Sequence, residues 1–120
     1  MPDEMLQPYR IEGNVLQLGE GASVSFEYPI KAVISFGEVL VVLVLAPIGG
    51  PIYNQNVFGV SRQGHILWQV PGFDWQKGDS PYMDIHKDKD GKLVWLGNYR
   101  CSNIFLDPLS GRFIREEFSH

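Results

Sequence analysis

Asn103-Ile104-Phe105-Leu106-Asp107-Pro108-Leu109-Ser110-Gly111-Arg112-Phe113-Ile114 reads as strand, glycine turn, strand, and the chain contains the same arrangement once before. At an offset of 47 residues (103 minus 56), Asn56-Val57-Phe58 falls on Asn103-Ile104-Phe105, Gly64 on Gly111, and His65-Ile66-Leu67 on Arg112-Phe113-Ile114. Another hairpin precedes each copy. Phe36-Gly37-Glu38 turns into Val39 to Leu45, and Asp90-Gly91-Lys92 turns into Leu93 to Leu96, here at an offset of 54 residues (91 minus 37). The extra residues are absorbed by the connection Pro47 to Gln55, where the second copy has only a short link around Cys101. Each unit therefore predicts four antiparallel strands, over residues 31–70 and 83–118. A repeat of ~40 to 50 residues is the length of a propeller blade.

The flanking sequence fits the same β-hairpin reading. Ser23-Val24-Ser25-Phe26-Glu27-Tyr28 alternates strictly, with Val24, Phe26 and Tyr28 on one face, which is the pattern of a half-buried strand. Asn14-Val15-Leu16-Gln17-Leu18 precedes it across Gly19-Glu20-Gly21, so an N-terminal hairpin is expected, completing one of the sheets. The most apolar run, Val39-Leu40-Val41-Val42-Leu43-Val44-Leu45-Ala46, is stopped by Pro47 and the Gly49-Gly50-Pro51 turn. It is short of the roughly 20 residues of a membrane-spanning helix, and its β-branched content predicts a central strand buried on both faces. No stretch holds apolar residues at helical spacing over three turns, and 13 glycines and 8 prolines leave room for single-turn helices only.

The segment Asn103 to Ile114 resembles the outer strand pair of the quinoprotein-type β-propeller blade: an aromatic, an aliphatic, Asp107, a turn ending in Ser110-Gly111, and an apolar strand. Val57 to Val70 is similar and ends in Ile66-Leu67-Trp68, with Val60 in place of the Asp. The resemblance covers two blade-like units, whereas a ring needs about four to eight. The units must bury their faces otherwise, on each other as a sandwich or squashed barrel, or against a second chain as in a homodimer. The quinone-binding residues of that family lie in parts of a ring that this sequence lacks, so no cofactor is expected. The expected fold is all-β: two four-stranded antiparallel blade-like repeats plus an N-terminal hairpin, in one domain spanning 1–120.

With 120 residues, 44% of them hydrophobic and 20% charged, the composition is that of a packed soluble domain. The net charge of −4 and the lack of a Lys/Arg cluster argue against nucleic acid, whose binding is driven by clustered cations. Lys87, Lys89 and Lys92 are interleaved with Asp84, Asp88 and Asp90. Six acids against Arg10 and Lys31 make residues 1–60 the acidic half, a surface that serves solubility and steers basic partners. One cysteine, Cys101, forms no internal disulfide, and the chain opens with acids and prolines in place of a basic segment and an apolar stretch. A cytoplasmic location without membrane attachment is expected.

Candidate chemistry is sparse. His86, Asp88, Asp90 and Gly91 fail the calcium-loop pattern, which wants Asp first and Glu twelfth where this chain has His86 and Gly97. Asp84, His86 and Asp88 share one strand face by spacing and form the metal-ligating candidate, although solvent is the default for a polar trio opposite Met83 and Ile85. No catalytic-cysteine signature surrounds Cys101, and no nucleophile elbow, phosphate loop or H-E-x-x-H pair occurs; the alternative reading is a small-ligand or metal-binding β-barrel, or an enzyme working through Asp84, His86 and Cys101. The long linker from Pro71 to Tyr82 is the stronger feature, because long loops are disproportionately functional. Phe73, Trp75 and Tyr82 supply aromatic area, with Asp74, Lys77 and Asp79 as a charged rim, and Tyr53 and Asn54 on the connection Pro47 to Gln55 form a second candidate surface. The resulting expectation is an interaction or accessory protein that binds another protein through loop aromatics.

Overall fold

The computed structural model describes residues 9–73, 78, 80–98 and 102–118. These form an all-β protein of three antiparallel sheets. The first is β1 (Arg10–Glu12), β2 (Val15–Gln17) and β3 (Ser23–Ser25), in that order. The second is β4 (Ile30–Phe36), β5 (Val39–Val44), β6 (Val57–Ser61) and β7 (Ile66–Gln69), again in chain order. The third is β8 (Tyr82–Lys87), β9 (Val94–Asn98), β10 (Ser102–Leu106) and β11 (Phe113–Phe118), each paired with its sequence neighbour. Both four-stranded meanders coincide with the units expected from the internal repeat. Among the described residues the only helical element is a 3-10 turn at Gly19–Gly21, and no helix is long and apolar enough to cross a membrane.

Two details differ from expectation. The N-terminal hairpin is a three-stranded sheet, because Arg10–Glu12 pairs with β2 in the register Arg10 to Gln17 and Glu12 to Val15. It forms a layer of its own and completes neither four-stranded sheet. The squashed barrel is also set aside, since β7 pairs only with β6 and β8 only with β9, which leaves every sheet open.

Layering follows from the parity of β5. Val39, Val41 and Leu43 point to one side, where they pack with Val94, Leu96, Ile104 and Leu106 of the third sheet. Leu40, Val42 and Val44 point to the other, against Leu16, Val24 and Phe26 of the first. All six β5 residues are buried, as expected of a strand whose faces are both covered. At about 1.5–3 kcal/mol for each fully buried aliphatic side chain, this strand anchors both cores. Phe26 sits over Phe58 of β6 with ring centroids 5.0 Å apart, fixing the first sheet onto the second.

Two polar side chains staple the second sheet to the third. Asn56 is fully buried and donates through Nδ2 to the carbonyls of Val44 and Tyr82, both at 2.9 Å, while its Oδ1 accepts from the Tyr82 amide at 3.0 Å. Trp68 donates from Nε1 to the carbonyl of Pro108 at 2.8 Å. Its indole lies against the bare Cα atoms of Gly59 and Gly111, one from each repeat. Gly111 also has φ 72°, so the turn before β11 needs glycine for its backbone as well as for the indole.

Candidate functional site

Because the second sheet is covered on both sides and the third on one, the third sheet has an outer face that no other described element overlies. The residues of this face follow from parity. Ile85, Val94, Leu96, Ile104 and Leu106 go inward, which sends their strand neighbours outward. Pairing then arranges the outward residues in two rows across the four strands. His86 pairs with Trp95, Trp95 with Phe105, and Phe105 with Arg115. One step along, Asp84 pairs with Gly97, Gly97 with Asn103, and Asn103 with Glu117.

The first row is a continuous aromatic and cationic ladder. His86 and Trp95 lie 5.7 Å apart, Trp95 and Phe105 stack at 6.0 Å, and the Arg115 guanidinium sits 4.1 Å over the Phe105 ring. Such cation–ring contacts contribute about 0.5–1 kcal/mol when exposed. Phe105 is thereby reduced to 5% exposure, while Trp95 keeps 37%. The second row holds the first in place: Asn103 Oδ1 accepts from Trp95 Nε1 at 2.9 Å and Glu117 Oε2 accepts from Arg115 Nε at 2.8 Å. With its N–H committed, Trp95 offers a visitor its ring surface. Gly97 contributes no side chain, so a trough of about 400 Å³ opens beside the indole, bounded by Asp84, His86 and Asn103. On the opposite side of Trp95 a groove of about 520 Å³ runs between Phe105, Arg115 and the β8–β9 turn.

The structure distributes the residues singled out by sequence over several places. Asp84 and His86 are exposed on this outer face. Asp88 lies beyond the end of β8 and closes the turn instead: its Oδ1 accepts from the amides of Lys92 at 2.8 Å and Leu93 at 3.1 Å. Those bonds, led by the one from Leu93, lower its carboxyl pKa. Among the described residues no three His, Cys, Asp or Glu side chains gather where they could hold a metal ion. Tyr82 is fully buried at the start of β8, and burial, reinforced by the charge of Glu116, pushes its phenol pKa well up. Phe73 is half-buried against the core with its ring 5.5 Å from that of Phe113. Asp74, Trp75, Lys77, Asp79 and Cys101 lie outside the described residues.

Tyr53 is half-buried, edge-on to Tyr28 at 5.0 Å, and its phenol pKa is raised by burial and by Glu27. Asn54 joins the two long connections, donating to the carbonyl of Gly78 and accepting from the Ser80 amide, both at 2.8 Å. The described parts of the two candidate loops therefore lie side by side, a relation the sequence leaves open, with a small hollow of about 240 Å³ between Pro47, Pro51, Tyr53, Pro81 and Met83.

Residues 6–118 match the family model of DUF7957, a domain of unknown function. The chain belongs to the DUF7957 family. A comparison with curated proteins finds no match. In this DUF7957 domain the aromatic ladder is the feature that sequence reading missed. A signal was available: Val94-Trp95-Leu96-Gly97 alternates, and the inward demand of Val94 and Leu96 turns Trp95 out. That Phe105 and Arg115 join it depends on the register of β9, β10 and β11.

Proposed function

We propose that this DUF7957 domain is an interaction module that binds protein through the outer face of its third sheet, with Trp95 at the centre of the contact. The observation that carries the reading is the Trp95–Phe105–Arg115 ladder standing on a sheet face that no other described element overlies. Trp and Arg are the residue types that dominate protein-interface energetics, and the polar row of Asp84, Asn103 and Glu117 supplies the rim hydrogen bonds that such contacts use. The face is supported on a rigid sheet, so little ordering cost accompanies binding. Accessory binding, in place of catalysis, also accords with Asp84 and His86 standing on an open surface that excludes no water.

A photo-crosslinking residue placed at Trp95 tests this, with the same residue at exposed Glu38 as control. Irradiation in living cells is expected to give discrete protein adducts from position 95 and none from position 38. No adduct at position 95, or equal labelling at both, refutes the reading.

A further inference from the structure

Resting on the reading that this face contacts protein, we propose that its occupant is a second copy of the chain, in an isologous pair whose two-fold axis lies in the face and runs across the strands. The argument is the order of the two rows. Rotation about that axis lays the row His86, Trp95, Phe105, Arg115 of one copy on the row Asp84, Gly97, Asn103, Glu117 of the other. His86 then meets Asp84, Arg115 meets Glu117, and Trp95 enters the trough over Gly97, each contact occurring twice. The alternative axis, along the strands, sets Asp84 against Glu117 at both ends of the contact, and like charges placed opposite one another discriminate against that mode. Charge and shape therefore select the same arrangement, with strands within about 30° of alignment as in other face-packed sheets.

Size sets the strength. Four strands at about 4.8 Å and five residues at about 3.4 Å make a patch of about 19 by 17 Å. Two such faces bury about 650 Å² in total before side-chain relief, well below the roughly 1,200 Å² at which standard specific interfaces begin, so association is weak and reversible. The pair forms and separates with concentration, and while formed it hides the aromatic ladder from any other protein.

Sedimentation of the purified full chain over about 5 to 500 µM reads this directly, a range chosen for a weak interface. The weight-average mass is expected to rise from 13.6 kDa toward twice that value. Arg115→Glu and Glu117→Arg each set like charges across the axis, so each alone is expected to stay monomeric. An equimolar mixture of the two restores both opposite-charge pairs and is expected to recover the dimer. Gly97→Leu fills the trough and is expected to abolish dimerisation; the backbone there accepts a Cβ, which meets only Asn103 Oδ1 at an ordinary 3.6 Å. Circular dichroism of each variant confirms folding. Wild-type protein that remains monomeric at the highest concentration overturns the proposal, as does a dimer that persists in Gly97→Leu and the two charge variants. A monomer in isolation that still crosslinks a different protein from position 95 removes the second copy and leaves the protein-contact reading standing. Monomer without adducts removes both.

Discussion

Gly59→Ala tests the staple that joins the two repeats. The Cα of Gly59 lies under the indole of Trp68, and an added methyl would overlap the ring at Nε1, Cε2 and Cδ1. Gly59 cannot yield, because it sits in β6 between Val41 of β5 and Trp68 of β7 in the ladder. The indole has little room to shift, since it also packs against the backbone of Gly111, where an added Cβ would lie only 2.5 Å from the ring. The expected cost is about 1–3 kcal/mol for overpacking plus about 1 kcal/mol for the bond from Trp68 Nε1 to the Pro108 carbonyl. The lower backbone entropy of Ala in a strand returns about 0.5–1 kcal/mol. The net is about 2–3 kcal/mol. With an unfolding entropy of about 2.1 cal/mol/K per residue over this chain length, the melting temperature falls by about 10 °C. Thermal melts followed by circular dichroism measure it, with Gly97→Ala as the paired control that should melt near wild type. Combining Gly59→Ala with Trp68→Leu should cost clearly less than the sum of the single changes, because the clash disappears with the indole. Equal melting of Gly59→Ala and Gly97→Ala would refute the account of Trp68 as the clamp between sheets.

Other perturbations follow from the same cores. Val41→Asp places a carboxylate in the core between the second and third sheets and should cost about 3–5 kcal/mol; soluble, native-like protein would contradict the burial of β5. Asn56→Ala removes three buried hydrogen bonds, to the carbonyls of Val44 and Tyr82 and from the Tyr82 amide, at about 0.5–1.5 kcal/mol each or more, so urea titration should show one of the larger single-residue losses in the chain. The Tyr82 phenol has its folded pKa raised above the ordinary value of 10.0, so its contribution is complete below about pH 10 and is lost as the unfolded chain ionises above it. Stability measured at increasing pH should therefore fall beyond pH 10, and Tyr82→Phe should flatten that fall; an unchanged slope would remove Tyr82 as its source.

What could be read from the sequence depended on how local the signal was. The continuous β-branched run of β5 announces a strand with two covered faces, and Asp90-Gly91 announces a turn, realised with φ 72° at Gly91. Both are properties of a few adjacent residues. Arg10–Glu12 gave no such signal, because three exposed residues carry no period, and their strand exists only through pairing with β2. Tyr82 was grouped with the linker aromatics by position, yet Asn56 captures its backbone from 26 residues away and draws the ring into the core. The same long-range dependence hid the outer face. Alternation says that Trp95 points away from Val94 and Leu96, but only the register of three strand pairs brings His86, Phe105 and Arg115 alongside it.

The two repeats diverge in the residues of corresponding faces, one covered by the first sheet and the other overlain by no described element. Phe58 and Phe105 are equivalent by the 47-residue offset, and each pairs with an outward residue of the preceding strand, Val42 in the first unit and Trp95 in the second. Around Phe58 the face is aliphatic, with Leu40, Val42, Val44 and Val60, and the chain's own Phe26 covers it. A surface of that kind left in water would drive indiscriminate association. Around Phe105 the aliphatics are replaced by His86, Trp95, Asn103 and Arg115, side chains that tolerate water yet retain large contact area. Arg115 covers the one fully apolar ring, and Asn103 holds the indole flat. No other described element covers this second face, and its polar groups make it compatible with water while leaving aromatic surface for the contact proposed above. That combination is what a reversible contact requires, and the first repeat lacks it.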